Sequence, residues 1–578
     1  MIFTRRRLLL GTGALAAAGA VGFQAATRKK EPRDIHLPIA PGHQQYNILL
    51  ITSDQEQAWS HLPADFIERH CPGRARLRRQ SLSFTRAFTP SPVCSTARAC
   101  LYSGQHSQNN GLWENIPLPY ASPMKKSVPT LGTLMSAAGY HTAYFGKWHL
   151  SRLRNRDKSS LPAHEVQAEI LSYGFDEAGT HQELDGPLGG HLEDTDTTNK
   201  AVDFIQRQTK NDKPWFTAVN LLNPHDIMYY TAGAEMTATR KINYPDKLAR
   251  PPQTDFYSEQ LGYPLPENFG PGFQSEWTQA AAEYALCDDI ALGQFPYDDP
   301  AVCSEYVNYY YNCIRESDAH IVRLLDALDA SGQAERTIVV FTADHGEMLG
   351  VHGLRNKGVV PYRETVQIPL LVRHPDAMDS RSTEALASHI DMAPTLLNFA
   401  GVPSETVASE VPELVGRNLS GLVLDPDNAG PRDNGEGILL HWTSLAYQDH
   451  LSALAFGEER KKGGGTSFLM VLKPQFRGSL TNRGQMRGVF DGRYKFARFF
   501  APTQHNLPQT WDDLIALNDL ELYDTQTDPG ELNNLATNTE IYRDLLLTMN
   551  DKLNTLITKE IGDDDGHHMP GPSFIWRA

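Results

Sequence analysis

The sequence predicts an α/β fold: one large, mostly parallel central sheet flanked by helices, followed by a smaller C-terminal α+β domain. Three observations carry this. Continuous apolar runs rich in β-branched residues recur along the chain, as strands covered on both faces require. A long stretch with apolar residues at helical spacing separates two of them. Beyond about residue 430 the runs shorten and turn chemistry thickens.

Taken in order, residues 1–30 are set apart from the fold. They carry Arg5, Arg6, Arg7, Arg28, Lys29 and Lys30 and no acid, with an apolar run from Leu8 to Phe23 and a small-residue zone at Gln24-Ala25-Ala26. That is the plan of an export signal, and Thr4-Arg5-Arg6-Arg7-Leu8-Leu9 resembles the twin-arginine signal of bacteria. The other reading is an uncleaved N-terminal anchor, for which the run is short. Residues 31–45 read as a linker. Tyr46-Asn47-Ile48-Leu49-Leu50-Ile51-Thr52 is a buried strand ending at Asp54. Trp215–Asn220, Thr337–Thr342 and Ile368–Val372 are further strands, the second of them ending at Asp344. Val307, Tyr310, Ile314, Ile321, Leu325 and Leu328 mark one face of a helix packed on the sheet. These bound a catalytic domain at 46–430. In 431–578, Gly437–Trp442 and Tyr494–Phe500 read as strands, Lys461–Gly465 as a flexible loop and Ile541–Ile557 as a helix.

Composition excludes several functions. With 40% hydrophobic and 21% charged residues the chain is globular rather than disordered. Its formal charge of −16 becomes −22 without the six basic residues of 1–30, and no basic tract dominates, so no nucleic acid is expected as a partner. No other apolar run is long enough to span a membrane, so no stable span is expected in the mature chain. Six cysteines are too few for a disulfide scaffold and show no CxxC pair; Cys303 and Cys313 are close enough in sequence for a local bridge, which spacing alone leaves open. The export signal implies a periplasmic or secreted destination, reached through the twin-arginine export machinery.

In open α/β sheets the site lies beyond the carboxyl ends of the strands, and two strands here end in carboxylates. Asp54-Gln55 and Asp344-His345 pair oxygen and nitrogen donors suited to a divalent cation: oxygen ligands favour Ca²⁺ or Mg²⁺, and the histidine tilts toward Mn²⁺ or Zn²⁺. Cys94 follows prolines and precedes Ser95-Thr96-Ala97-Arg98, a stretch able to start a helix. That places it where free N–H groups favour negative charge, with Arg98 one turn on. Gly146-Lys147-Trp148-His149 sets a cation and a titratable ring two residues apart, and Asn223-Pro224-His225-Asp226 follows a strand directly. Alone, each has a plain structural alternative: a helix cap, a loop histidine, a solvated Lys357. Residues 226–300 add Tyr229, Tyr230, Phe256, Tyr257 and Trp277, read mainly as packing. The tail Asp563-Asp564-Asp565-Gly566-His567-His568 reads as a solvated terminus.

Together the blocks resemble a type I sulfatase of the alkaline phosphatase superfamily. The resemblance rests on Cys94-Ser95-Thr96-Ala97-Arg98 with Ser103-Gly104, Gly139-Tyr140 through Leu150, Asn223-Pro224-His225, and Thr342 through Glu347 with His352-Gly353 and Lys357-Gly358. His389–Leu397 and Glu521–Asp524 with Asp528-Pro529 complete it, in order from about 46 to 536. It implies that a maturation enzyme oxidises Cys94 to formylglycine. It also implies a divalent metal, Ca²⁺ first and Mn²⁺ second, held by Asp54, Gln55, Asp344, His345 and the modified Cys94. Arg98 would hold the formylglycine hydrate and His149 would contact it; Asn115, Lys147, His225 and Lys357 would bind the sulfate oxygens. The implied reaction is attack of a hydrate hydroxyl on sulfur, departure of the alcohol with a proton from His225 or Lys357, and elimination of sulfate with His149 as base. The substrate would be a small-molecule or carbohydrate sulfate ester. Two departures are visible: Thr96 stands where the signature usually has Pro, and Gln55 where the first metal pair usually has a second Asp. Gln55 with His345 resembles the phosphonate monoester hydrolase and choline-sulfatase side of the superfamily, whereas Lys147 and His149 match the sulfatase block. A phosphonate monoester or phosphodiester hydrolase is therefore the second reading, and a binding protein with an unmodified Cys94 the third.

Overall fold

The apolar run after residue 46 forms strand β1, Asn47–Asp54, buried along all eight residues. The computed structural model describes residues 35–569 except 117, 119–120, 155–160, 181–185, 209–212, 244–247, 446–448 and 462–478. The basic-apolar segment 1–30, the linker's first residues 31–34 and most of the loop at 461–465 lie outside the described residues.

After β1 come β2 (Leu82–Phe88), β3 (His141–Gly146), β4 (Glu177–Gly179), β5 (Trp215–Pro224), β6 (Thr337–Ala343), β7 (Gln367–Ile368), β8 (Leu370–Arg373) and β9 (Arg381–Ser388). They build one nine-stranded sheet in the order β4-β3-β5-β1-β6-β8-β2-β7, with β9 on β2. The run from β4 to β6 and the β2/β9 pair are parallel. Strand β8 is antiparallel to β6 and β2, and β7 to β2. The single strand expected at 368–372 is split, because Pro369 has no N–H for a ladder.

Register fixes the site. Ser53 pairs with Ala343 across β1/β6, Asp54 with Pro224 across β1/β5, and Gly146 with Asn220 across β3/β5. Four neighbouring parallel strands thus release the chain at one edge, at Lys147, His225, Asp54 and Asp344.

Helices cover the sheet: α1 (Cys94–Ser103), α2 (Gly189–Arg207) and α3 (Pro300–Ala330). The Asp299 carboxylate caps α3, accepting N–H bonds from Ala301 at 3.0 Å and Val302 at 3.3 Å, with Pro300 in the first turn where no N–H is needed. Helices α2 and α3 lie on β5, and Phe204, Leu324 and Leu328 pack against Leu49, Val219 and Phe341 of the sheet. Cys303 and Cys313 do not form the local bridge. Both lie on α3, where ten residues of helical rise separate them by roughly 15 Å, and all six cysteines are free and buried.

The C-terminal part carries a four-stranded antiparallel sheet, β10 (Ile438–Trp442), β11 (Gln485–Phe490), β12 (Tyr494–Phe500) and β13 (Asp519–Asp524), in chain order. Helix α4 (Thr539–Glu560) seats Leu546, Met549, Leu553 and Ile557 on Val489, Phe496 and Leu522. The described residues from 36 to 569 form one compact unit. The tail after α4 is solvated only in part: Asp563, Asp565 and His567 are exposed, whereas the Asp564 side chain is covered and accepts from Arg487 Nε at 2.6 Å and Nη2 at 2.8 Å, the partner that keeps a carboxylate out of water. Tyr229, Tyr230 and Tyr257 are buried packing residues, while Phe256 is exposed. Among the described residues no helix is long and apolar enough to cross a membrane.

Candidate active site

Helix α1 starts at Cys94, after Pro90-Ser91-Pro92 has barred an earlier start. Thr96, in its first turn, donates its hydroxyl to the Val93 carbonyl at 3.1 Å and accepts from the Ser91 hydroxyl at 2.8 Å. A threonine here ties the entering loop to the helix by hydrogen bonds. The helix stops at Gly104, in the left-handed region at φ +65°, where a Cβ would sit 2.6 Å from Leu414.

The carboxylates of Asp54 and Asp344 face each other at the ends of β1 and β6. Arg98 bridges them, Nη2 to Asp54 at 3.0 Å and Nε to Asp344 at 3.0 Å, and its Nη1 donates to the Lys147 carbonyl and to Asn220 Oδ1. Arg98 thus holds the carboxylate pair beside residue 94. Lys147 Nζ lies 2.8 Å from Asp54, delivered by Gly146 at φ +90°, where any Cβ would meet the Asn220 carbonyl at 2.0 Å. Cys94 Sγ is 3.1 Å from His345 Nε2 and 3.7 Å from Asp54 Oδ1. His345 Nδ1 donates to the Gly346 carbonyl at 2.9 Å, which leaves Nε2 as the lone-pair nitrogen facing the thiol.

Gln55 is in the left-handed region at φ +68°. Its amide N donates to Glu347, its amide O accepts from Lys357 Nζ, and its backbone N–H donates to Asp344 Oδ1 at 3.0 Å. His149, also left-handed at φ +58°, places Nδ1 3.1 Å from the Ser95 hydroxyl. Asn115 Oδ1 accepts the Ser95 N–H at 3.3 Å at the mouth of α1. His225 follows β5 and is buried, its charge acting on Asp54. The structure thus gathers every expected site residue around the start of α1.

Two contributors were not singled out. Glu347 accepts from Gln55, from Leu349 and Asn356 N–H at 2.9 and 2.7 Å, and from Tyr306 OH at 3.3 Å. Asn220 accepts from Arg98 and Tyr102. Glu347 stands three residues after Asp344, a usable signal; Asn220 sits inside an apolar run with none.

The electrostatics favour a cation. Burial, then the charge of Asp54, pushes the Asp344 carboxyl up to about 7. Burial also acts on Asp54, but Lys147, His225, Arg98 and Lys357 outweigh it and hold its carboxyl well below the ordinary range. Burial lowers His345, leaving it a neutral donor. Ligand atoms of Asp54, Cys94, Asp344 and His345 lie within 4.8 Å of one another, so two carboxylates and an oriented imidazole fit a divalent ion.

The family model described as Sulfatase matches residues 46–402. The chain is 31% identical over 366 residues to the uncharacterized sulfatase YidJ of Escherichia coli, an overlap of 59% of this chain and 64% of that protein, just under two thirds of the relative's length. It is 27% identical over 441 residues to an N-acetylglucosamine-6-O-sulfatase of Bacteroides thetaiotaomicron, covering 68% of this chain and 74% of that protein. Among solved structures, a 2-O GAG sulfatase superposes with TM-score 0.62 at 20% identity over 92% of this chain and 96% of the other. The phosphonate monoester hydrolase of Agrobacterium radiobacter gives 0.58 at 21%, over 89% and 96%.

Proposed function

The chain belongs to the sulfatase family of sulfuric ester hydrolases, and we propose that it cleaves a sulfate monoester at the start of α1, with formylglycine made from Cys94 as the nucleophilic residue. The observation that carries this is the position of Cys94: the first residue of α1, beside His345 and beside Asp54, the carboxylate on which Lys147, His225 and Lys357 act. The formylglycine hydrate would supply an oxygen nucleophile, and a divalent metal, Ca²⁺ first, would be held by Asp54, Asp344, His345, Gln55 and the modified Cys94 and would supply Lewis acidity.

The chain's own groups do the rest. Lys147, Lys357, His225 and Asn115 hold the sulfate oxygens and stabilise the charge that grows there. They let a chain of strongly negative net charge accept an anion, because the local field opposes the global one. Arg98 keeps the two carboxylates in place. His225 or Lys357 gives a proton to the leaving alcohol, and His149, set by Ser95, takes one from residue 94. The substrate class is a sulfated carbohydrate or small molecule, in keeping with the N-acetylglucosamine-6-O-sulfatase relative. A signal at 1–30 would send the folded enzyme to the periplasm or outside the cell.

Mass spectrometry of the Cys94 peptide tests the modification: aldehyde is expected, and an intact thiol from a host with the maturation enzyme leaves a binding role. Cys94→Ala should abolish turnover with the fold retained; rates like wild type would remove the proposed nucleophile. The neutral Gln55 favours phosphonate esters as the second reading, while Lys147 and His149 favour sulfate. Faster turnover of an aryl phosphonate monoester than of the matching aryl sulfate would reverse the order.

A further inference from the structure

Helix α1 carries a second group of ligand atoms on its far side. Cys100, His106 and His441 are fully buried, and Sγ and one ring nitrogen of each histidine lie within 4.8 Å of one another. They come from three places: α1, the turn after it, and β10. His441 turns Nε2 toward Cys100 Sγ at 4.0 Å, and the two imidazoles meet edge to face with centroids 5.1 Å apart. His106 Nε2 bonds to the Glu560 carboxylate at 2.9 Å, while its Nδ1 is buried with no hydrogen-bond partner. An imidazole with one nitrogen on a carboxylate and the other buried and unpartnered, packed against a second imidazole, is the arrangement that orients a metal-bound histidine.

We propose that Cys100, His106 and His441 bind a zinc ion as its three protein ligands, at a site separate from the carboxylate pair at Asp54 and Asp344. Thiolate with two imidazoles is a borderline-soft donor set that suits zinc, unlike the oxygen-rich set at the strand ends. Burial holds the Cys100 thiol above its ordinary range and Ser107 opposes this only in part, so the ion itself must displace the thiol proton. The buried charges then balance. Arg432 pairs with both Asp391 and Glu560, leaving one negative charge, and zinc with one thiolate supplies one positive charge. The ion would pin α1, whose first residue is Cys94, to β10 and to the end of α4.

The test uses the full chain carrying Cys94→Ser, so that no thiol remains at the carboxylate site. Loaded with Co²⁺, it should show a thiolate-to-cobalt charge-transfer band. Loaded with Zn²⁺ and dialysed, it should keep one zinc per chain more than Cys94→Ser/Cys100→Ala, and the band should vanish in that double variant. Glu560→Gln should weaken zinc retention against a competing chelator by roughly 10–100-fold. Absence of the band in Cys94→Ser overturns the site whether or not the Cys100 variant folds. So does zinc content unchanged by Cys100→Ala in a chain with wild-type circular dichroism.

Discussion

The Glu347 carboxylate sets which way the Gln55 amide points, because a carboxylate accepts only and therefore claims the NH₂ end. That presents the amide oxygen to Lys357. Glu347→Gln removes this discrimination and one acceptor from a buried network. Losing a buried charged hydrogen bond costs about 1–3 kcal/mol, so kcat/KM should fall roughly 5–150-fold with the fold intact; unchanged kinetics would make Glu347 a packing residue. Asp344 gives a pH test. Its carboxyl is raised from 3.8 to about 7 by burial and by Asp54, so the folded state holds a proton that the unfolded chain has lost. That contribution is full below 3.8 and disappears as pH rises through 7. Metal-free protein should therefore lose thermal stability between about pH 4 and pH 7, and a divalent cation should restore it. Asp344→Asn should flatten the metal-free profile and lower metal content. A flat profile in the wild type would mean that burial and the Asp54 charge do not keep Asp344 protonated.

Strand ends were the most legible elements. Apolar runs cannot be solvated, so β1, β5 and β6 announced themselves, and with them Asp54, Asp344 and His225 at their carboxyl ends. The register that brings Ser53 beside Ala343 was not legible, because pairing partners lie 290 residues apart. Nor was the docking of α4, where Glu560 meets His106 and Arg432 across the fold. Burial acts against the charge of Glu560, but His106 and Arg432 prevail and bring its carboxyl from 4.5 to about 2. The stability this contributes is complete above pH 4.5 and is lost as pH falls toward 2. Hydrogen exchange at the end of α4 should accelerate over that interval, and Glu560→Gln should remove most of the acceleration. Exchange independent of pH there would show that the ion pair does not hold the helix.

At the scale of the whole molecule, composition argued against nucleic acid and disulfide scaffolding but said nothing of how the second sheet closes on α1; that contact depends on side chains such as His441 that look ordinary in sequence. The export reading of residues 1–30 is testable directly. Arg5→Lys with Arg6→Lys should leave active enzyme in the cytoplasm of the native host, measured by fractionation, whereas unchanged distribution would reassign residues 1–30. The six cysteines, each sequestered and none linked to another, have a consequence for production. With no disulfides to form, folding of the polypeptide calls for no disulfide-forming oxidase or isomerase, and reductant in the buffer should leave its stability unchanged.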